Sequence, residues 1–596
     1  MDEYGIRELV NEVHRGRLSR RRFVGIMVGF GLTAPMAATL LGPSAARAQR
    51  RAAFAPTKRG GGGRLKLLWW QAPTGLNAHF ATGTKDEDAA RPAYEPLCAF
   101  DPDGVFIPIL AAEVPTLQNG GLSRDGKTVT WRLKKNVQWH DGTPFTADDV
   151  IFTWEFAADP ATAAVTVTAY RDIDRIDRID DHTVKVVFKE PRAFWYDAFF
   201  GVRGYILPKH ILGAYKGANS RNAPPKFIGT GPYRVVDFKP GDSVRYELNP
   251  NYHIANRPFF DIVELKGGGD APSAARAVLQ TGEYDFAWNM QVEWDVLKRL
   301  EQGGKGTLVN VPTGNIEHIQ LNQSDPWTEV DGERGSVKSK HPLFQDAKVR
   351  AAFALLIDRA SVGEELYGET GKVTGNFINA PSRFLSKNTR WEFSIDKANR
   401  LLDEAGYKRG GDGVRLGKDG KRIKLVYQTS VNSLRQKNQQ IVKQAFAKAG
   451  IDLELKSVTA SVFFSSDPAN PDTYSHFYAD LQMFNTTMTS PDPQFFMNQF
   501  VSTEAAQRAN KWAGRNPTRF RNEEYDRLWN SSDKEFDPAK RAAMFIRMND
   551  IVVEQVVVIP EIWRNRTYAV GARLRDVEPS GWDSTLWQLA YWNREA

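Results

Sequence analysis

Between Thr128 and Trp154 the hydrophobic pattern of the chain switches from that of a strand to that of a helix, and the switch falls on His140-Asp141-Gly142. Thr128-Val129-Thr130-Trp131-Arg132-Leu133 alternates as a half-buried strand. Gly142 supplies a turn, because glycine tolerates a positive φ. Thr146 is placed to cap a helix, Asp149 completes a capping box, and Phe145 and Val150 occupy the positions of a hydrophobic staple. Val150, Ile151 and Trp154 continue the apolar face, while Asp148 and Asp149 suit the positive end of the helix dipole. The histidine and the carboxylates look like an active site, yet each has a structural task here. A catalytic His140 would also need a converging nucleophile or metal.

Other segments read in the same way. Leu65 to Trp70 is a short apolar run of the buried-strand kind. Asp101-Pro102-Asp103-Gly104 is a turn, and residues 172–190 suggest a strand, an Asp-Asp turn and a second strand. Ile228-Gly229-Thr230-Gly231-Pro232-Tyr233 is glycine-rich but lacks the Gly-Lys-Ser/Thr of a phosphate loop, so it reads as a tight turn into a strand over Tyr233–Phe238. Amphipathic helices are expected over Gln345–Arg359, over Asp396–Ala405, closed by Gly406, and over Ile441–Ala449, stopped by Gly450. A strand over Ile451–Val458 follows, giving α/β units with partly parallel sheet.

A chain of 596 residues is too long for one ordinary core, so two or three domains are expected. Its single cysteine, Cys98, excludes an intramolecular disulfide framework and a cysteine-based zinc cluster, and reads as a buried thiol. The nine histidines show no metal-binding spacing, and neither a nucleophile elbow nor a dinucleotide fingerprint is present. The formal charge is +8, and the first 48 residues carry seven arginines against four acids. No basic block interleaved with aromatics supports nucleic-acid binding.

Ser19-Arg20-Arg21-Arg22-Phe23-Val24 precedes an uncharged, weakly apolar stretch that ends in Ala46-Arg47-Ala48. Residues 1–48 therefore read as a twin-arginine export signal with an A-x-A cleavage site and a periplasmic product. The alternative, a retained anchor, would need about 20 strongly apolar residues, and the prolines and glycines here count against it. Residues 49–63, ending in Gly60-Gly61-Gly62-Gly63, read as a flexible linker.

The order of the motifs carries more than any one of them. YEPL at Tyr94, WRLKKNVQWHDGTPFTADDVIFTWEF, IGTGPYRVVDFKPGDSVRYELNPNY, AARAVLQTGEYDFAW, HPLFQDAKVRAAFALLIDR, SPDPQFF and VVVIPEIW follow one another along residues 65–596. This set resembles the extracytoplasmic solute-binding proteins of family 5, the peptide, nickel and opine-type receptors of ABC importers. The resemblance implies a type II periplasmic-binding-protein fold of the α/β class, with two lobes on a two-strand hinge and an extra subdomain, cluster C-like. Lobe I would take 65–98, 208–312 and 560–596, the extra subdomain 99–207, and lobe II 313–559. It implies hinge closure on a ligand, delivery to a membrane permease with its ATPase, no cofactor and a monomer; the export signal adds the Tat machinery as a partner. The alternative is a secreted hydrolase built on a similar cleft.

Peptide-binding members place a tryptophan and, three residues later, an aspartate ahead of an acidic-proline pair, and the aspartate holds the peptide's α-amino group. Counting back from Asp492-Pro493 puts Thr486 and Thr489 at those positions. A neutral threonine cannot offset the desolvation of an ammonium group, which argues against ordinary free-amine peptides. The ligand stays open among a modified peptide, an opine-like conjugate and an oligosaccharide. By motif order the ligand-binding positions are Trp70, Trp288, Asn289, Asn315, His318, Arg435, Phe484, Asn485, Thr486 and Thr489. His318 is alternatively a surface histidine, and Arg435 either clamps a ligand acid or is a solvated arginine in the loop before the third helix.

Overall fold

The structure is a computed structural model, and it describes residues 54–594 except Thr82, Pro224 and Pro225, with isolated positions before them. The expected signal over 1–48 and the first part of the expected linker lie outside the described residues. The chain divides into two units, residues 1–59 and Gly60–Ala596, and everything below concerns the second.

Gly60–Gly63 is not a tether. The backbone N–H groups of Gly61 and Gly63 donate to the Asp261 carboxylate, both at 2.8 Å, and those of Gly60 and Gly62 to the carbonyls of Pro258 and Phe259. Positive φ angles at Gly60, Gly61 and Gly63 turn these donors inward, and a Cβ on Gly62 would sit 2.3 Å from the Phe259 ring. Glycines that look flexible in isolation are fixed here because only they permit this approach.

From there β1 (Arg64–Trp69) leads into α1 (Thr84–Ala90), and the chain leaves to build a separate region. That region holds the hairpin β2 (Cys98–Phe100) and β3 (Phe106–Pro108), then β4 (Thr128–Arg132), α2 (Ala147–Ala158), β5 (Ile173–Asp180) and β6 (Thr183–Phe188). The last three strands form an antiparallel sheet in the order β4-β6-β5. The chain returns with β7 (Tyr233–Lys239), β8 (Ser243–Leu248), β9 (Ile262–Gly267), α3 (Ala271–Leu279), β10 (Phe286–Trp288) and α4 (Trp294–Glu301). Long β11 (Gly306–Leu321) follows, then a hairpin of β12 (Glu329–Val330) and β13 (Glu333–Arg334), and α5 (Ala347–Leu355). Next come β14 (Gly371–Val373), α6 (Ile395–Glu404), β15 (Lys424–Ser430), α7 (Ser433–Lys448), β16 (Asp452–Val458) and β17 (Leu481–Thr486). The last part carries α8 (Glu523–Ser532), α9 (Pro538–Glu554) and β18 (Val558–Gly571).

Eleven strands make one mixed sheet in the order β16-β15-β17-β11-β18-β10-β1-β9-β8-β7, with β14 also beside β18. Only β11 and β18 run through both halves. Gly306–Val311 pair with Arg566–Gly571, where β10 is the outer neighbour, and Asn315–Gln320 pair with Val558–Arg564, where β17 is. The register breaks between Val311 and Asn315, and Thr313 bridges the gap by donating its hydroxyl to the Arg564 carbonyl at 2.8 Å. These two strands are the expected two-strand hinge between two lobes. The sequence reading sets its second crossing at 559/560, whereas the register break falls at Arg564–Arg566.

Two other expectations shift. The helix expected from Gln345 ends at Leu355, with a separate turn from Arg359. The helix expected from Ile441 begins eight residues earlier at Ser433, because Asn432 caps it by accepting the Arg435 N–H at 3.2 Å. Asn-Ser before a polar helical run is a good N-terminal signal, masked here because the first turns are polar.

The motifs of the resemblance meet in one buried knot. Gly229 and Gly231 lie against the backbone of Pro92–Tyr94 so closely that a Cβ would come within 1.8 Å and 2.4 Å of carbonyl oxygens. Gly231 N–H donates to the Ala93 carbonyl at 2.9 Å. Glu95 of YEPL accepts from Tyr252 at 2.9 Å, Thr230 at 3.1 Å and His253 at 3.1 Å. Asn249 donates to the Gly231 carbonyl at 3.0 Å. His140 reaches the same glycines, and the Thr146–Asp149 capping box forms as expected.

Candidate functional site

A cleft of about 1000 Å³, counted with its open mouth, lies between the halves of the sheet. One wall is Gln71 after β1, Glu87 on α1, and Asn289 and Gln291 after β10. The facing wall is Phe484, Asn485, Thr486 and Thr489 at and after β17, with Phe495 and Arg515 beyond. Arg203 closes one side.

Six of the ten expected ligand-binding residues line this cleft: Asn289, Arg435, Phe484, Asn485, Thr486 and Thr489. The other four stand behind it. Trp70 donates its indole N–H to the Asn289 carbonyl at 2.8 Å, supporting a residue that itself takes a left-handed φ of 54°. Trp288 donates to Asp88 at 2.7 Å, and Asp88 also accepts from the Thr585 hydroxyl at 2.8 Å, which pins α1. Both tryptophans therefore brace the wall through their indole N–H groups. Asn315 is buried in the hinge. His318 is fully buried behind Phe484, with ring centroids 4.7 Å apart; it is neither a surface residue nor a cleft residue.

Arg435 is not the solvated arginine of the second alternative. It is 1% exposed and holds Glu317 through Nε at 3.2 Å and Nη2 at 2.8 Å, with Ser430 at 2.7 Å. Glu317 on β11 also takes Arg564 of β18 at 3.0 Å, so this cluster ties α7 to both hinge strands. A bidentate carboxylate partner is present, as the guanidinium fork prefers, but it belongs to the protein.

Asp492 of the SPDP motif is likewise structural. It caps the turn beginning at Pro493, accepts from Tyr196 at 3.0 Å and binds Arg541 through both oxygens. His140 has both ring nitrogens engaged by Gly229 and Gly231, so the residue a hydrolase would recruit is committed to the fold. Among the described residues no group of three or more His, Cys, Asp or Glu side chains is arranged to hold a metal ion, and no helix is long and apolar enough to cross a membrane.

Glu87, Arg203, Phe495 and Arg515 also line the cleft, and no sequence motif marks them. Arg203 is bound to Asp197 and to the Thr168 hydroxyl at 2.9 Å, and its guanidinium lies 3.2 Å from the Phe495 ring centroid. The Arg515 guanidinium lies 4.7 Å from the same ring. Burial, reinforced by Asp88, pushes the Glu87 carboxyl up to about 7. The walls are joined by Arg171, which holds Glu504 at 2.7 Å, and by Asn432, which donates to the Gln291 carbonyl at 3.4 Å.

Two lobes on two shared strands, with a polar cleft between them, define a binding protein of the type II periplasmic class. Residues 106–508 match the model of the bacterial extracellular solute-binding proteins, family 5, middle region, and the chain belongs to that family. It is 28% identical over 427 residues to the oligopeptide-binding protein AppA of Bacillus subtilis, covering 69% of this chain and 72% of the relative. It is 26% identical over 387 residues to the glutathione-binding protein GsiB of Pectobacterium atrosepticum, covering 65% and 68%. The solved structure of Bacillus subtilis AppA in complex with a nonapeptide shares the fold, with a TM-score of 0.78 at 24% identity over 91% of this chain and all of the other. The protein is thus an extracytoplasmic solute-binding receptor.

Proposed function

We propose that this protein is the periplasmic receptor of an ABC importer for a small, polar, peptide-like or opine-like ligand. It is exported by the twin-arginine route, acts as a monomer, and hands its ligand to a membrane permease driven by an ATPase. The reading rests above all on the cleft, whose walls come from sheet halves that share only β11 and β18. A ligand touching both walls stabilises the closed arrangement, because it gains its full contact set only there. AppA and GsiB, by their names, bind an oligopeptide and glutathione, which supports peptide-like chemistry. Asn485, Thr486 and Thr489 supply neutral hydrogen-bonding groups, so selectivity among ligands depends on the few charged groups in the cleft.

The test is mass spectrometry of whatever the purified protein releases on gentle denaturation, followed by calorimetric return of that compound. One ligand per chain, recovered unchanged, is the expected result. Product accumulating with time, or no saturable ligand at all, overturns the receptor reading.

A further inference from the structure

Four charged side chains line the cleft among the described residues: Glu87, Arg203, Arg435 and Arg515. Two are already matched. Arg203 is held by Asp197 and Arg435 by Glu317. The other two are not. Neither the Glu87 carboxylate nor the Arg515 guanidinium has a hydrogen-bond or ion-pair partner among the described residues, and Nε of Arg515 is buried without an acceptor. They do not form an ion pair with each other.

The two groups face the cleft from opposite lobes. Glu87 sits on α1, which Asp88 fixes to Trp288 and Thr585 of the first half. Arg515 sits in a segment bound to the second half, where Asn516 donates to the Glu504 carbonyl at 2.8 Å and Arg519 to that of His476 at 2.8 Å. Phe495 supports the Arg515 guanidinium by a cation–π contact, and contact with a ring face leaves the in-plane N–H groups free to donate. An unmatched charge in a closing, partly dried cleft is costly until a counter-charge arrives. Two unmatched charges of opposite sign ask for a ligand that carries both.

Building on the receptor reading, we propose that Glu87 and Arg515 are the two charge anchors of the ligand. The Glu87 carboxylate accepts an ammonium group, the Arg515 guanidinium clamps a carboxylate, and the protein selects a short dipolar molecule of peptide-like chemistry. The acid missing at Thr489 is thereby replaced from the facing lobe, and the argument against free-amine ligands is reversed. Burial and Asp88 hold the Glu87 carboxyl up against the longer-range pull of Arg515 and Arg566, neither of which is bonded to it.

The test uses the full-length receptor and a mixed-sequence tripeptide library in four forms: free, N-acetylated, C-amidated and blocked at both ends. Retained peptides are quantified by mass spectrometry. The free library is expected to be retained on the order of 10- to 100-fold better than either singly blocked form, as befits one charge-assisted bond lost. Glu87→Gln should abolish the preference for a free amine while keeping that for a free carboxylate, and Arg515→Gln should do the converse. Equal retention of free and doubly blocked peptides overturns the proposal, as does unchanged end preference in both variants or failure of every form to bind. If that failure occurs while a different ligand still co-purifies at one per chain, the receptor reading survives and only the dipolar assignment falls.

Discussion

His140 and Gly229 hold each other by two reciprocal hydrogen bonds. The His140 backbone N–H donates to the Gly229 carbonyl at 2.8 Å, and the Gly229 N–H donates to His140 Nδ1 at 3.1 Å. Nε2 therefore carries the proton and donates to the Gly231 carbonyl at 3.1 Å. One imidazole thus fastens the glycine turn to the strand–turn–helix block. His140→Ala leaves the buried Gly229 N–H without its acceptor and the Gly231 carbonyl with Asn249 alone, and an expected loss of about 1–3 kcal/mol follows, read as a lower Tm with ligand stoichiometry unchanged. Burial pushes His140 down to about 4 from its ordinary 6.5. Its neutral form supports the fold fully above pH 6.5, and that support is lost as pH falls toward 4. The pH dependence of Tm in this window should flatten in the alanine variant.

Glu95 is the acidic centre of the same knot. Burial alone would raise its carboxyl, but His253, Arg91 and Tyr252 together hold it at about 2. Its contribution is complete above the unfolded value of 4.5 and disappears as pH falls toward 2. Glu95→Gln should cost about 1–3 kcal/mol at neutral pH, with a smaller difference from wild type at pH 2–3. Urea denaturation at the two pH values checks this.

Glu561 on β18 has the opposite sign. Burial drives its carboxyl up to about 8, against the pull of Arg359 and Asn438, and one carboxyl oxygen has no partner. The unfolded chain gives up this proton near pH 4.5, so ionisation increasingly opposes folding between pH 4.5 and 8. Glu561→Gln keeps the shape and can still accept the Asn438 donor at 3.1 Å. It should raise stability at pH 7 by about 1–3 kcal/mol, with the gain vanishing at pH 4. Calorimetric Tm values at both pH values decide it.

Arg171, just before β5, binds Glu504, beyond β17, an ion pair that opening of the hinge would break. Arg171 is about one-third exposed, so solvent screening limits the pair to roughly 0.5–1 kcal/mol. Arg171→Ala should therefore raise the ligand Kd about two- to fivefold through faster dissociation, leaving the ligand-free Tm unaltered. Stopped-flow release of bound ligand would expose the change, and an unaltered off-rate would count against a latch.

Much of the fold was legible because its signals are local. The Thr146 cap, the turn at Gly142 and the alternation over Thr128–Arg132 each follow from neighbours in sequence. The glycines at 229 and 231 were legible only as a turn, since the reason they cannot be larger is the backbone of Pro92–Tyr94, distant in the chain. The cleft was half legible. Phe484 to Thr489 could be counted from Asp492-Pro493, whereas Glu87 and Arg515 converge from more than 400 residues apart with no shared pattern. Arg435 shows the converse failure, since a composition suited to binding a carboxylate does not reveal that Glu317 already supplies one.

The placement of β18 also governs how the molecule can be made. Val558–Gly571 lies in the middle of the sheet, between β11 and β10, although nearly all other strands precede it in the chain. During synthesis neither half can complete its hydrogen-bond ladder until this segment has been translated, and until then β10 and β11 expose unpaired edges of the kind that aggregate. The nascent chain must wait, shielded, for the last strand of its main sheet, so any truncation before Val558 should yield two unfinished sheets and not one working lobe.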